Sequence, residues 1–148
     1  MSNNREPWLI AAAMLSAGAS LLHLAAIAGG PSWYRFLGAG ERMARLAEAG
    51  SPRPTLITVA IAALLASWAA YALAGAGLMP RLPLMRTALV AITAIYLLRG
   101  LVLLPALAMN GGRASPFLWW SSFIVLGYGI VYAVGTVQAW PALGGGSQ

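Results

Sequence analysis

The chain has 148 residues, 60% hydrophobic and 8% charged, with nine arginines, no lysine, three glutamates and a net charge of +6. A soluble domain carries about a quarter charged residues, so this composition cannot cover a water-soluble globule. A disordered chain is poor in apolar residues and rich in charge, which excludes disorder as well. The remaining class is an integral membrane protein.

Residues 2–7 carry Arg5 offset by Glu6 and lead into the first apolar run, 8–29. That run is longer than the ~7–15 residues of a signal-peptide core, so it is expected to remain as a spanning helix. Further runs follow at 55–78, 84–104 and 117–140. Each approaches or exceeds the ~20 residues a helix needs to cross the hydrocarbon layer. Backbone groups in lipid must be satisfied within the segment, which makes these runs helices. The expected fold is all-α: a polytopic four-transmembrane-helix bundle forming one domain over 1–143, followed by a flexible, uncharged tail at 144–148. All nine prolines fall at or just beyond a proposed end, where a missing N–H costs least. Five of the six tryptophans (Trp8, Trp33, Trp119, Trp120, Trp140) also mark ends, where amphipathic rings favour the interface. Trp68 lies mid-span.

Between the first two spans, 35–48 reads as a short amphipathic helix. Phe36, Gly40, Met43 and Ala47 fall on one side; Glu41, Arg45 and Glu48 recur on another. Trp33, Tyr34 and Phe36 would anchor it on the membrane surface. It serves either as a stiff connector or as a lid over a site in the bundle. The tight connection carrying Arg81 and Arg86 places both termini in the cytoplasm by the positive-inside rule, although a raw arginine count over all loops favours the reverse. With no cysteine, no disulfide reports the compartment.

Each span bears a sparse polar stripe at helical spacing: Ser16, Ser20 and His23; Ser67 and Tyr71; Thr93, Tyr96 and Arg99; Ser121, Tyr128, Tyr132 and Thr136. Small and hydroxyl residues at such intervals let transmembrane helices approach and hydrogen-bond. Arg99 differs. It is the one ionised side chain within the apolar core of a predicted span, where a central arginine costs roughly 2.5–3.5 kcal/mol on insertion scales. It stands six residues before Pro105, so its guanidinium either snorkels toward the surface or meets a ligand.

Helix order puts His23 and Arg99 at similar depth in one leaflet, near Thr58 and Ser121 of the antiparallel spans and under the first loop. The candidate site is therefore Arg99, His23, Tyr96 and Ser121, with Tyr34, Glu41 and Glu48 contributed by the loop. A buried arginine needs an acceptor, and no span contains an acid. Its partner must be a loop glutamate, backbone carbonyls, a lipid phosphate or an anionic ligand. One histidine and no cysteine make a closed metal site unworkable. No phosphate loop, nucleophile elbow or zincin motif occurs, and the scattered arginines form no nucleic-acid footprint. No catalytic residue, metal or cofactor is expected.

The stretches GGPSWYRFLGAGERMARLAE and LPLMRTALVAITAIYLLRGL resemble those of uncharacterised small four-helix inner-membrane proteins of GC-rich bacteria. That resemblance implies a bacterial inner-membrane location and no particular activity. In length, helix count, basicity and long first loop the chain is also similar to membrane-associated eicosanoid and glutathione metabolism enzymes. Against that likeness, the Asn and Glu expected inside the second helix are missing, and 50–54 breaks the chain where their helix continues. The leading expectation is a homo-oligomeric binding protein for a lipid headgroup or small anionic amphiphile in a one-sided intramembrane pocket. A glutathione- or lipid-modifying enzyme and a small transporter or channel subunit are the alternatives.

Overall fold

The computed structural model describes residues 5–109, 112–113 and 115–144, and every regular element among them is an α-helix. In chain order these are α1 (Pro7–Gly29), α2 (Pro31–Phe36), α3 (Glu41–Glu48), α4 (Arg53–Gly75), α5 (Met85–Leu101), α6 (Leu103–Met109) and α7 (Pro116–Leu143). Four helical stretches are long and apolar enough to cross a membrane: α1 and α4 with 23 residues each, α5 with α6 over 25, and α7 with 28. At 1.5 Å per residue each exceeds the ~30 Å hydrocarbon core. The protein is a multi-pass membrane protein. Of the proposed tail, residues 145–148 lie outside the described residues.

The helix starts follow from local chemistry. Proline at Pro7, Pro31 and Pro116 occupies first-turn positions where an N–H has no intrahelical acceptor. Ser115 caps α7, its Oγ accepting from the Leu118 N–H at 3.1 Å. The second span begins at Arg53 rather than 55 and ends at Gly75 rather than 78, with Pro54 tolerated in its first turn.

Two expectations about breaks need correction. The third span does not stop before Pro105: helix continues through α6 to Met109. Proline removes the N–H that would reach the carbonyl four residues earlier, Leu101. The ladder breaks there, at Val102, and resumes with Ala106 N–H donating to Val102 O at 3.2 Å. Pro141 likewise lies inside α7. The amphipathic segment 35–48 is two helices rather than one. Residues 37–40 turn between them, and Gly40 has φ +94°, a conformation a side-chain-bearing residue rarely adopts. The buried face of α3 consequently centres on Ala44, while Phe36 is 81% exposed.

The chain divides into two compact units, Met1–Leu15 with Trp68–Gln148, and Ser16–Ser67; the division passes through the continuous helices α1 and α4. The first unit is a four-helix bundle. Leu9 of α1 is fully buried and packs on Gly75 of α4 and Gly135 of α7, while Leu89 of α5 also meets Gly75. The helices α5 and α7 approach at two glycines: a Cβ added at Gly100 would stand 2.7 Å from Leu126 Cα, and one at Gly129 would stand 2.7 Å from Leu97 Cδ2. Small residues permit such approach where lipid supplies no hydrophobic drive between helices. Outward, Leu98, Trp120 and Val137 are exposed, as expected of a surface solvated by acyl chains.

In the second unit, Ser20 Oγ of α1 donates to Ala62 O of α4 at 2.8 Å, and Ala26 and Ala62 are buried. Helix α2 is tied to α4 through the buried Tyr34. Thr58 Oγ1 donates to Pro54 O at 2.7 Å and lies 3.5 Å from Tyr34 Oη. With the threonine proton committed to Pro54, the tyrosine O–H is the donor across the pair.

Candidate functional site

Arg99 sits near the middle of the third span, ten residues before Met109 and two beyond Leu97. Extending the helix through Pro105 therefore sinks its Cα deeper than the sequence spacing implied. Leu97 packs on Gly129, and each lies within a residue of the centre of its own span. Taking that level as the bilayer midplane, Arg99 Cα is ~3 Å from it. The side chain runs toward the beginning of α7, where Nη2 donates to Ser121 Oγ at 3.2 Å. Ser121 is eight residues, ~12 Å of rise, from Gly129. The guanidinium thus ends ~12 Å from that level, inside a hydrocarbon layer of half-thickness ~15 Å and toward the side where α7 begins.

Ser121 Oγ donates in turn to Leu118 O at 3.4 Å, leaving its lone pairs to the arginine. Tyr96 lies one turn before Arg99 and is buried in an aromatic cluster. Its ring centroid is 4.9 Å from that of Trp68, 5.5 Å from Tyr128 and 5.3 Å from Tyr132. Tyr132 Oη donates to Trp68 O at 3.2 Å, tying α7 to the end of α4. Mid-span Trp68 thus packs against Tyr96 with an edge-to-face geometry that aromatic pairs favour. Ser122 Oγ and Thr136 Oγ1, both buried in α7, have no hydrogen-bond partner among the described residues.

The chain has only three acids, so the possible carboxylate partners of Arg99 can be followed one by one. Glu41 and Glu48 are claimed inside their own segment. Arg35 binds Glu41 bidentately, through Nε at 2.8 Å and Nη2 at 3.1 Å, and Nη2 also donates to Glu48 at 2.8 Å. Arg45 Nε adds a bond to Glu41 at 3.1 Å. Hydrogen bonds from Arg35, then Arg45, pull the Glu41 carboxyl down to about 2, while hydrogen bonds to Glu41, then Glu48, raise the Arg35 guanidinium. Glu6 precedes α1 at the end of the first unit where Leu9 meets Gly135, fourteen residues of α7 away from Ser121. Its Oε1 is buried without a partner among the described residues. Among the described residues the Arg99 guanidinium bonds a neutral hydroxyl and no carboxylate, and its other N–H donors lie in a planar fork suited to phosphate or carboxylate oxygens.

His23 Nδ1 donates to Ala19 O at 2.8 Å, one turn back on α1, so this ring proton is spent locally. Tyr34 is likewise committed to Thr58. The contacts of the expected site residues thus fall into two groups: Arg99, Ser121 and Tyr96 in the first unit; His23, Tyr34, Glu41 and Glu48 in the second. Among the described residues no group of three or more His, Asp or Glu residues is placed to hold a metal ion.

A second arginine arrangement escaped the sequence reading. At the far end of α7, Arg81 donates to Ala142 O, and Arg86 Nη2 donates to Trp140 O at 2.9 Å. The Arg86 guanidinium also stands 4.7 Å over the Trp140 ring. Two cations thus cap carbonyls that a helix C-terminus leaves unpaired. The signal in the sequence was an arginine in the first turn of one span and an interfacial tryptophan in the last turn of another. No protein-family model, no curated protein and no solved structure matches the chain.

Proposed function

We propose that this protein is a non-enzymatic component of the bacterial inner membrane that binds the anionic headgroup of a lipid, or a small amphiphile of the same charge, at Arg99 and Ser121. The observation that carries the reading is an intramembrane guanidinium bonded to a neutral hydroxyl while every acid of the chain is engaged or located elsewhere. Retaining a residue that costs ~2.5–3.5 kcal/mol on insertion calls for a compensating interaction, and phosphate oxygens at headgroup depth supply one. Tyr96 and its aromatic neighbours form the floor that holds the α5 backbone in place below the guanidinium. The proposed site is narrower than the sequence expectation, since His23, Glu41 and Glu48 have local partners. The protein is proposed to assemble with copies of itself, with both termini in the cytoplasm, which places Arg99 nearer the outer face.

Native mass spectrometry of protein released gently from membranes tests the binding reading. Wild-type protein is expected to retain an anionic adduct that Arg99→Gln and Arg99→Ala lose while remaining folded. Equal, adduct-free masses for all three overturn it. The cysteine-free background makes the topology test simple: Ser32→Cys is expected to react with an impermeant thiol reagent from outside the inner membrane, and labelling only from the cytoplasmic side reverses the orientation.

A further inference from the structure

The segment 31–50 joins the ends of α1 and α4 on one membrane face, and its depth is set by Tyr34. That hydroxyl meets Thr58, five residues into α4, or ~7.5 Å from the helix start, so α2 rests at the boundary of the hydrocarbon layer. Around the buried Tyr34, α2 exposes Phe36 (81%) and Trp33 (41%), and the Trp33 ring lies against Gly29. Helix α3 turns Ala44 inward, with Met43, Leu46 and Ala47 part-buried, and leaves Glu41, Arg42, Arg45 and Glu48 exposed.

The distribution of charge is uneven in a specific way. Over 31–53 four arginines face two glutamates, a surplus of two positive charges. Arg35 takes both glutamates itself. Arg42 makes no ion pair among the described residues, and Arg45, whose side chain is 75% exposed, has a single bond to an oxygen of Glu41 already engaged by Arg35. Arg53 opens α4, so the surplus on α2–α3 itself is one charge, and Arg42 and Arg45 present their guanidinium groups on one flank of α3 beside a shallow depression of about 380 Å³ lined by Glu41, Arg42, Arg45 and Leu46. Cations beside apolar side chains, at interfacial depth and next to exposed aromatics, match an anionic phospholipid surface.

We propose that α2 and α3 form a second lipid contact, separate from Arg99: Arg42 and Arg45 engage phosphates of anionic phospholipids on the leaflet surface while Phe36 and Trp33 insert into the headgroup region. Glu41 is offset by Arg35 together with Arg45, since two arginines face two glutamates in that network, and Arg42 stands outside it. The arrangement makes Arg35 a positioning residue that holds Glu41 and Glu48 in one network and leaves Arg42 outside it.

The test uses the full-length protein in nanodiscs of phosphatidylcholine alone or with phosphatidylglycerol, followed by hydrogen exchange of peptides covering 31–50. Protection is expected to rise with phosphatidylglycerol by about fivefold per arginine near the surface, and to fall at high salt, where the screening length shrinks to ~3 Å. Arg42→Gln leaves the Arg35–Glu41–Glu48 network intact and is expected to remove about half of the gain in logarithmic terms; Arg42→Gln with Arg45→Gln removes it all. Equal protection in the two lipids, or an undiminished gain in Arg42→Gln, overturns the proposal. Arg99→Gln serves as the separating control. It is expected to lose the retained adduct and keep the phosphatidylglycerol-dependent protection, so each of the two lipid readings can fail without the other.

Discussion

Gly100 of α5 and Leu126 of α7 are in backbone contact, so close that a methyl group at 100 would lie 2.7 Å from Leu126 Cα. Because the obstacle is main chain, no rotamer change relieves it. Together with Leu97 on Gly129, this contact brings α5 and α7 together and sets the register by which Arg99 reaches Ser121. The register, rather than any single hydrogen bond, is what carries the guanidinium from mid-span toward the start of α7.

Gly100→Ala is expected to destabilise the bundle by about 1–3 kcal/mol through overpacking, and to reduce lipid retention with it. The matched control is Gly127→Ala, where an added Cβ meets nothing within 4 Å; helix propensity alone makes it neutral to ~1 kcal/mol more stable. Unfolding in mixed micelles reads both. Equal effects at the two positions would dismiss the close-approach account.

Arg99→Leu separates stability from binding. Removing a cation from the span recovers up to ~3 kcal/mol of insertion cost, so the variant is expected to melt higher than wild type in lipid-stripped detergent while losing the retained adduct. Ser121→Ala, which deletes a neutral partner and leaves the charge, should weaken retention less than Arg99→Gln does. If Arg99→Leu melts below wild type instead, the arginine is structural.

Arg86 joins the start of α5 to the end of α7 by a bond to Trp140 O and by its position over the Trp140 ring. Arg86→Ala is expected to cost about 1–3 kcal/mol, combining a charge-assisted hydrogen bond with a cation–π contact. Hydrogen exchange should rise over the last turn of α7. Arg86→Lys should not restore protection, because an ammonium cannot both stack on the indole and reach the carbonyl as a planar fork does.

The α2–α3 ion network predicts an acid-side transition. Glu41 has its carboxyl pulled from an ordinary 4.5 to about 2, first by Arg35 and then by Arg45. A depressed acid contributes its stabilisation above the unfolded value, so the contribution is complete above pH ~4.5 and disappears as pH falls toward 2. Arg35 is raised beyond the working range and adds no transition of its own in that window. Amide protection of 41–48 at fixed lipid composition should therefore fall between pH 5 and 2, and Glu41→Gln should start low and stay flat. A wild-type profile that is flat over this range would count against the network.

Hydropathy made the four spans legible because lipid forces every backbone N–H and C=O into its own helix, so run length alone identifies a span. The anomalous Arg99 stood out for the same reason: a charge in an apolar run has an energetic cost visible without coordinates. Proline was a less faithful guide. Pro7 and Pro116 start helices, but Pro105 and Pro141 lie inside them, because a proline frees one carbonyl rather than ending a span.

The partners of the charges were a matter for tertiary structure. Read along the chain, Glu41 and Glu48 were as available to Arg99 as to any other cation. The turn at 37–40, allowed by Gly40 at φ +94°, folds α2 onto α3 and brings Arg35 to acids six and thirteen residues ahead. Likewise, only the packing of α5 on α7 through Gly100 and Gly129 decided that a residue near mid-span ends at Ser121 near the surface. The sequence by itself determined the solvent of this protein, its spans and the cation that needs an explanation, since those depend on transfer energies of single residues. Which acceptor each cation meets depends on chain reversals and helix register, and these exist only once the helices are packed.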